Sequence, residues 1–206
     1  MLSLEEGTLA VKTARKVIET YIRTNRVPQV QLPSSFDDPG GVFVTLKLRE
    51  DLRGCIGYPY PDLPLRQALV EAAVHAATRD PRFPRVRAAE LEHIYTEVTI
   101  LSAPELLRAK AAERPKHIVI GRDGLIVEHG QYRGLLLPQV PVEHRWGVEE
   151  YLENACLKAG IMPDMWAEER TRVYTFTGQI FAEKVPGGEI AELKFDPALD
   201  QCRIED

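Results

Sequence analysis

The sequence predicts an α+β protein built from two related ββαβ units, two subdomains of antiparallel sheet flanked by helices. Three observations carry the prediction. The order strand, turn, strand, loop, helix, irregular stretch, strand runs over 41–101 and recurs from Gly124. Arg53-Gly54 opens the second strand of the first unit, and Arg133-Gly134 opens the matching strand of the second. Apolar residues recur at three- and four-residue steps in both helical segments, and alternate or cluster in the strands.

The elements follow in order. Ser3 and Glu6 have capping-box spacing, and Val11, Ala14, Val17, Ile18, Tyr21 and Ile22 then trace one helical face, so 4–24 reads as an amphipathic helix packed on the body. "NRVPQVQLPSSFDDPGG" lacks periodicity and reads as an irregular connection. The first unit is "VFVTLKL", the turn "REDL", "RGCIGY", a proline-rich loop, the helix "LRQALVEAAVHAAT" and the strand "IYTEVTIL". The second is "LIVEH", "YRGLLL", the loop "PQVPVEHRW", the helix "GVEEYLENACLKA" with Gly160 as its C-terminal cap, and one long strand "RVYTFTGQIF". Between the units, "ELLRAKAAERPKHIVIGRDG" reads as a connector plus an added strand, His117–Ile120, closed into a hairpin by "RDG". The acidic tail after "VPGG" reads as peripheral. The whole is expected to be a single domain, 1–206, with subunits at 41–101 and 117–185.

Composition narrows the function classes. With 206 residues, 44% hydrophobic and 28% charged, the chain has the balance of a packed globular protein rather than a disordered one. The formal net charge of -5 supplies no global field for a phosphate backbone, which argues against nucleic acid as a main partner. No apolar run approaches the ~18 residues that span a bilayer, and the N-terminal segment, with two glutamates, does not read as a signal peptide. A cytoplasmic protein with no membrane association is expected. Its three cysteines are odd in number and lack CxxC spacing, which argues against a disulfide framework and a zinc site.

Several residues could carry chemistry. Cys55 lies between Gly54 and Gly57, which leave room beside a thiol, and its counterpart in the second unit is Leu135, so the architecture does not require sulfur there. Inert packing of a lone buried cysteine is the competing reading. A thiol needs a base or a cationic neighbour to be nucleophilic. Arg53, two residues away, would share the face of Cys55 on a regular strand and could lower its pKa or clamp an anion. A structural arginine serving turn carbonyls explains it as well. His144, in the loop "PVEHRW" beside Glu143, Arg145 and Trp146, is the candidate base; a surface histidine at a helix entry is the alternative. Glu97 interrupts a β-branched strand and could act as a base or partner Arg53 or Arg79. "TRDPRFP" reads as a structural turn, with Asp80 before Pro81. His144, Glu143 and Cys55 make a poor metal set, so no metal is expected, and no phosphate-binding or serine-hydrolase motif is present.

Taken together, "LRGCIG", "RDPRFP" followed by "EL", "TEVTIL", "GLLLPQV", "CLKAG" and a closing "GQIF" resemble the AMMECR domain family over about residues 8–185. The resemblance implies an α+β fold of two subdomains, with "LRGCIG" as the usual candidate site, carried here by Leu52, Arg53, Gly54, Cys55, Ile56 and Gly57. It also implies work alongside Memo-like and radical-SAM partners, and no particular reaction or cofactor. Two readings of function follow. In one, a small-molecule enzyme uses Cys55 as nucleophile and His144 as base, with Arg53, Gly54, Gly57 and Glu143 holding the substrate. In the other, the same cleft binds a ligand or a pathway partner without catalysis.

Overall fold

A computed structural model describes residues 1–196 and 201–204, with side chains described through residue 193. In chain order its elements are α1 (Leu4–Thr24), β1 (Gly41–Leu48), β2 (Asp51–Tyr58), α2 (Leu65–Thr78), β3 (Ile94–Leu101), β4 (Glu105–Leu106), β5 (Gly124–His129), β6 (Tyr132–Leu136), α3 (Val140–Glu143), α4 (Val148–Ala159), β7 (Arg172–Phe176), β8 (Gly178–Glu183), β9 (Ile190–Asp196) and β10 (Gln201–Ile204). The α+β class expected from the sequence is the class observed. Contacts divide the chain into two compact units, one built mainly from 1–101 and 179–194, the other mainly from 102–178.

A six-stranded sheet runs β10-β9-β8-β3-β1-β2, and the first unit holds β1, β2 and β3 of it with most of β8 and β9. Val42, Val44 and Leu46 of β1 and Ile94, Val98 and Ile100 of β3 alternate onto its inner face and are buried there with α1 and α2. The Ser3 hydroxyl accepts from the Glu6 N–H and the Glu6 carboxylate accepts from the Ser3 N–H, so the capping box read from the sequence starts α1. A charged pair enters this core. Arg15 pairs with Glu183, also donates to the carbonyl oxygens of Leu91 and Ile94, and Glu183 accepts the Thr96 N–H at 2.9 Å. Such a buried pair keeps its charges only because hydrogen bonds replace the lost water.

The second unit carries a four-stranded sheet, β4-β7-β5-β6. Leu125, Val127 and Val173 meet Tyr151, Leu152, Ala155 and Cys156 of α4 in a core of its own. The Tyr151 hydroxyl lies 3.1 Å from the carbonyl oxygens of both Asp123 and Leu136, and burial pushes its pKa up. Buried Arg114 donates to the Trp166, Glu168 and Thr171 carbonyls and so fixes the segment before β7.

Four sequence expectations change. The strand expected as "RVYTFTGQIF" breaks at Thr177, so β7 serves the second unit and β8 the first. Ser102 and Thr177 fix the break: the Ser102 N–H donates to the Thr177 carbonyl, and the Thr177 N–H donates to the Ser102 hydroxyl, both at 2.9 Å. The strand expected at His117–Ile120 does not form. A 3-10 turn occupies Ala111–His117, and the Asp123 carboxylate accepts the Val119 N–H at 2.8 Å, taking a donor a ladder would have used. The tail after "VPGG", expected to be peripheral, instead supplies β9, which pairs with β8 from Glu183↔Ile190 to Ile180↔Leu193. The loop "PQVPVEHRW" holds the one-turn helix α3. Contacts place the change from one compact unit to the other between Leu101 and Ser102 and again between Gly178 and Gln179.

Candidate functional site

The motif "LRGCIG" forms β2, and an irregularity in its pairing decides what Cys55 faces. Leu48 pairs with Asp51 across the two-residue turn, and Lys47 with Leu52, but Leu46 then pairs with Gly54 rather than Arg53. Arg53 is an inserted residue, a β-bulge. Without it Cys55 would stand opposite core-facing Val44; with it Cys55 stands opposite Thr45, because a one-residue slip exchanges the two faces of a strand. Cys55 therefore joins the outer face of the sheet. Gly54 goes the other way, onto α2, where a Cβ would lie 2.2 Å from the Ala76 carbonyl oxygen. The glycine is demanded by close helix approach. At Gly57 a Cβ would meet the Phe43 ring at 2.3 Å and the Val42 carbonyl at 2.6 Å. Neither glycine opens a space beside the sulfur of the kind expected from the sequence; each fills a tight contact.

Arg53 is committed elsewhere. Its guanidinium makes a two-point pair with Glu90, at 2.8 and 3.2 Å, and donates to the Pro84 carbonyl at 2.9 Å. The expected alternation that would set Arg53 beside Cys55 does not apply across a bulge. Glu90 in turn is held below its usual carboxylate range, chiefly by Arg53.

The turn "TRDPRFP" is joined to the same strand. The Asp80 carboxylate, almost fully buried, accepts the Cys55 N–H at 2.8 Å together with the Arg82 N–H and guanidinium. Arg82 closes the circuit with a 3.4 Å bond to the Cys55 carbonyl. The pair occupies backbone groups that edge strand β2 would otherwise present unpaired. Arg82 holds Asp80 far below the usual carboxylate range, with help from the two backbone N–H groups.

On the outer face, Cys55, Thr45 and Glu97 lie in one row across β2, β1 and β3. The Thr45 hydroxyl donates to the Cys55 sulfur at 3.2 Å, and Lys47 pairs with Glu97 at 2.8 Å. Burial pushes the Cys55 thiol up. The Thr45 hydrogen bond and Arg82 oppose this, while the carboxylates of Glu97 and Asp80 add to it. Chemically, the row offers a half-buried neutral thiol, a hydroxyl and a tight ion pair.

The other expected residues stand in the second unit. Glu143 ends α3, and His144 stacks on Trp146, with ring centroids 4.6 Å apart and planes 14° apart. Trp146 packs against that unit's core, which gives the stack its footing. The structure thus brings Arg53, Gly54, Cys55 and Gly57 together on β2 and Glu143 with His144 on α3, in two different units. Among the described residues no group of three His, Cys, Asp or Glu side chains converges as a metal site.

Sequence reasoning missed Thr45 and Lys47, and read Asp80 only as a turn former. Alternation along "VFVTLKL" separates Thr45 and Lys47 from the core residues, so their shared face was legible. Their pairing with Cys55 was not, because it depends on the bulge.

A two-unit α+β protein with a cysteine displayed on a sheet face by a glycine-bearing bulge is the class that fold and site define. The chain belongs to the AMMECR1 family, whose model matches residues 11–181. A protein of Methanocella arvoryzae is 64% identical over 94% of this chain and 99% of its own. One of Methanocaldococcus jannaschii is 53% identical over 94% and 98%. The crystal structure of an uncharacterised Pyrococcus horikoshii protein superposes with a TM-score of 0.83 at 45% identity, covering 94% of this chain and 99% of that one. Among the described residues no helix is long and apolar enough to cross a membrane.

Proposed function

We propose that the outer sheet face around Cys55, Thr45, Glu97 and Lys47 is a small-molecule binding surface on which Cys55 acts as a neutral thiol, not as a thiolate nucleophile. One observation carries this reading: Arg53, the expected activating cation, is bound to Glu90, while the half-buried sulfur lies in the same row as the Glu97 carboxylate. Arg82 and Lys47, the other nearby cations, are themselves paired with Asp80 and Glu97. A nucleophilic cysteine requires an electropositive surrounding, and this one is balanced by two carboxylates.

The test is the pH dependence of Cys55 alkylation in the folded protein, with Cys156, deeply buried and pushed up to about 11, as an internal slow reference. The expected midpoint lies above the ordinary thiol value of about 8.5. Asp80→Asn, which removes one carboxylate, should lower it. A midpoint well below that value would restore the nucleophile, and the neutral-thiol reading would fall.

A further inference from the structure

Beside the Cys55 row, on the same face of the first unit's sheet, lies a cavity of about 130 Å³. Tyr95, Ala182 and Leu193 supply apolar walls, and Lys47, Arg49 and Lys184 line it as well. Tyr95 alternates with buried Ile94 and Thr96 along β3, and Ala182 with buried Phe181 and Glu183 along β8, so both present the face away from the core. The volume matches a compact apolar group: an engineered cavity of ~150 Å³ in another protein holds one benzene.

The charges around it are almost all spoken for. Lys47 holds Glu97, Lys184 holds Glu189 at 2.9 Å, and Glu183 holds Arg15 and the Thr96 N–H. Arg49 is different. It makes no hydrogen bond, ion pair or ring contact among the described residues. It sits at φ +60° in the two-residue turn between β1 and β2, the positive φ that such a hairpin turn calls for. The hairpin turn thus places an exposed guanidinium, without a partner among the described residues, at the cavity wall.

We propose that this cavity binds a small monocarboxylate with a compact apolar body, a single ring or a branched alkyl group. The carboxylate pairs with Arg49, and the body lies against Tyr95, Ala182 and Leu193. One unpaired cation beside the Lys47–Glu97 pair favours a single negative charge over a phosphate dianion. The inference rests on the reading of the neighbouring Cys55 row as a ligand-binding surface, and it names the ligand class.

An NMR titration of the full chain with benzoate tests it, with benzamide as the neutral analogue and inorganic phosphate as the dianion. Benzoate should shift backbone signals of β1, β3 and β8 saturably; benzamide should bind at least about tenfold more weakly, the worth of one charge-assisted bidentate contact, and phosphate, which lacks the apolar body, should also bind at least about tenfold more weakly. Arg49→Gln, on an exposed turn, should weaken benzoate by about the same factor and leave benzamide unchanged. Ala182→Leu should fill the cavity and abolish both, with an unchanged melting temperature showing that the fold survives. Equal binding of benzoate and benzamide, binding that survives both variants, or no benzoate binding overturns the proposal. Benzoate binding that Cys55→Ser leaves intact, with an acidic alkylation midpoint at Cys55, supports the cavity while removing the neutral-thiol reading. A basic midpoint with no benzoate binding removes the cavity alone.

Discussion

Gly54 makes the strongest single-residue demand in "LRGCIG". A Cβ there would meet the Ala76 carbonyl oxygen at 2.2 Å and its carbon at 3.3 Å, both backbone atoms of α2 that cannot rotate aside. Gly54→Ala should therefore cost about 2–3 kcal/mol in urea unfolding, the upper range for overpacking a tight site. Asp80 acts electrostatically. Its folded-state pKa lies below its unfolded value, so its stabilisation is complete above the ordinary carboxylate range and drains away as pH falls toward the folded value. Asp80→Asn should remove about 2 kcal/mol at neutral pH, the scale of a hydrogen-bonded charge, and flatten the acid limb of the stability profile below pH ~4. Urea midpoints measured across that range check both parts; a parallel acid limb in mutant and parent would show that Asp80 carries no linked proton.

Helix ends show what element-scale chemistry made legible and what it did not. Gly160 takes φ +78° after α4, with its N–H on the Leu157 carbonyl and the Ile161 N–H on the Cys156 carbonyl, the bonding of a Schellman cap. That cap was readable, because glycine after a periodic apolar stripe announces it. Arg145 takes the same place after α3 at φ +57°, with the Arg145 N–H on Val142 and the Trp146 N–H on Pro141. It was hidden, because arginine carries no such signal and α3 is too short to show periodicity. Arg145→Gly should then stabilise the second unit by roughly 1 kcal/mol, and Gly160→Ala should destabilise it by a similar amount, both read from thermal unfolding. The same distinction runs through the sheets. β1, β3 and α1 were legible because each has a single periodicity over at least eight residues. The face of Cys55 was not, since one inserted residue reverses it. Nor was the break at Thr177, where continuous β-branched and aromatic residues conceal a change of sheet.

At the scale of the molecule, the break at Thr177 makes the two units unequal in their dependence on distant chain. The four strands of the second unit and helix α4 all fall within 102–178 and enclose their own core. The first unit depends on 179–194. Phe181 is fully buried against the helix at Gly7, where a Cβ would lie 2.2 Å from its ring, and Glu183 is the partner of Arg15. A fragment ending at residue 178 would leave Arg15 and the Thr96 N–H without that carboxylate and open a cavity the size of a phenyl ring. Removing one member of a buried pair costs about 3–5 kcal/mol and truncating a buried Phe about 3–5 kcal/mol more, together comparable to the ~5–15 kcal/mol that holds a domain folded. In fragment 1–178 the NMR signals of the second unit should therefore stay dispersed while those of α1, β1 and β3 collapse toward random-coil positions. Glu183→Gln in the full chain, which keeps a hydrogen-bonding side chain but loses the charge, should give a milder version confined to the first unit. Uniform collapse of both units in the fragment, or retention of both, would show that their folding is not divided at residue 178.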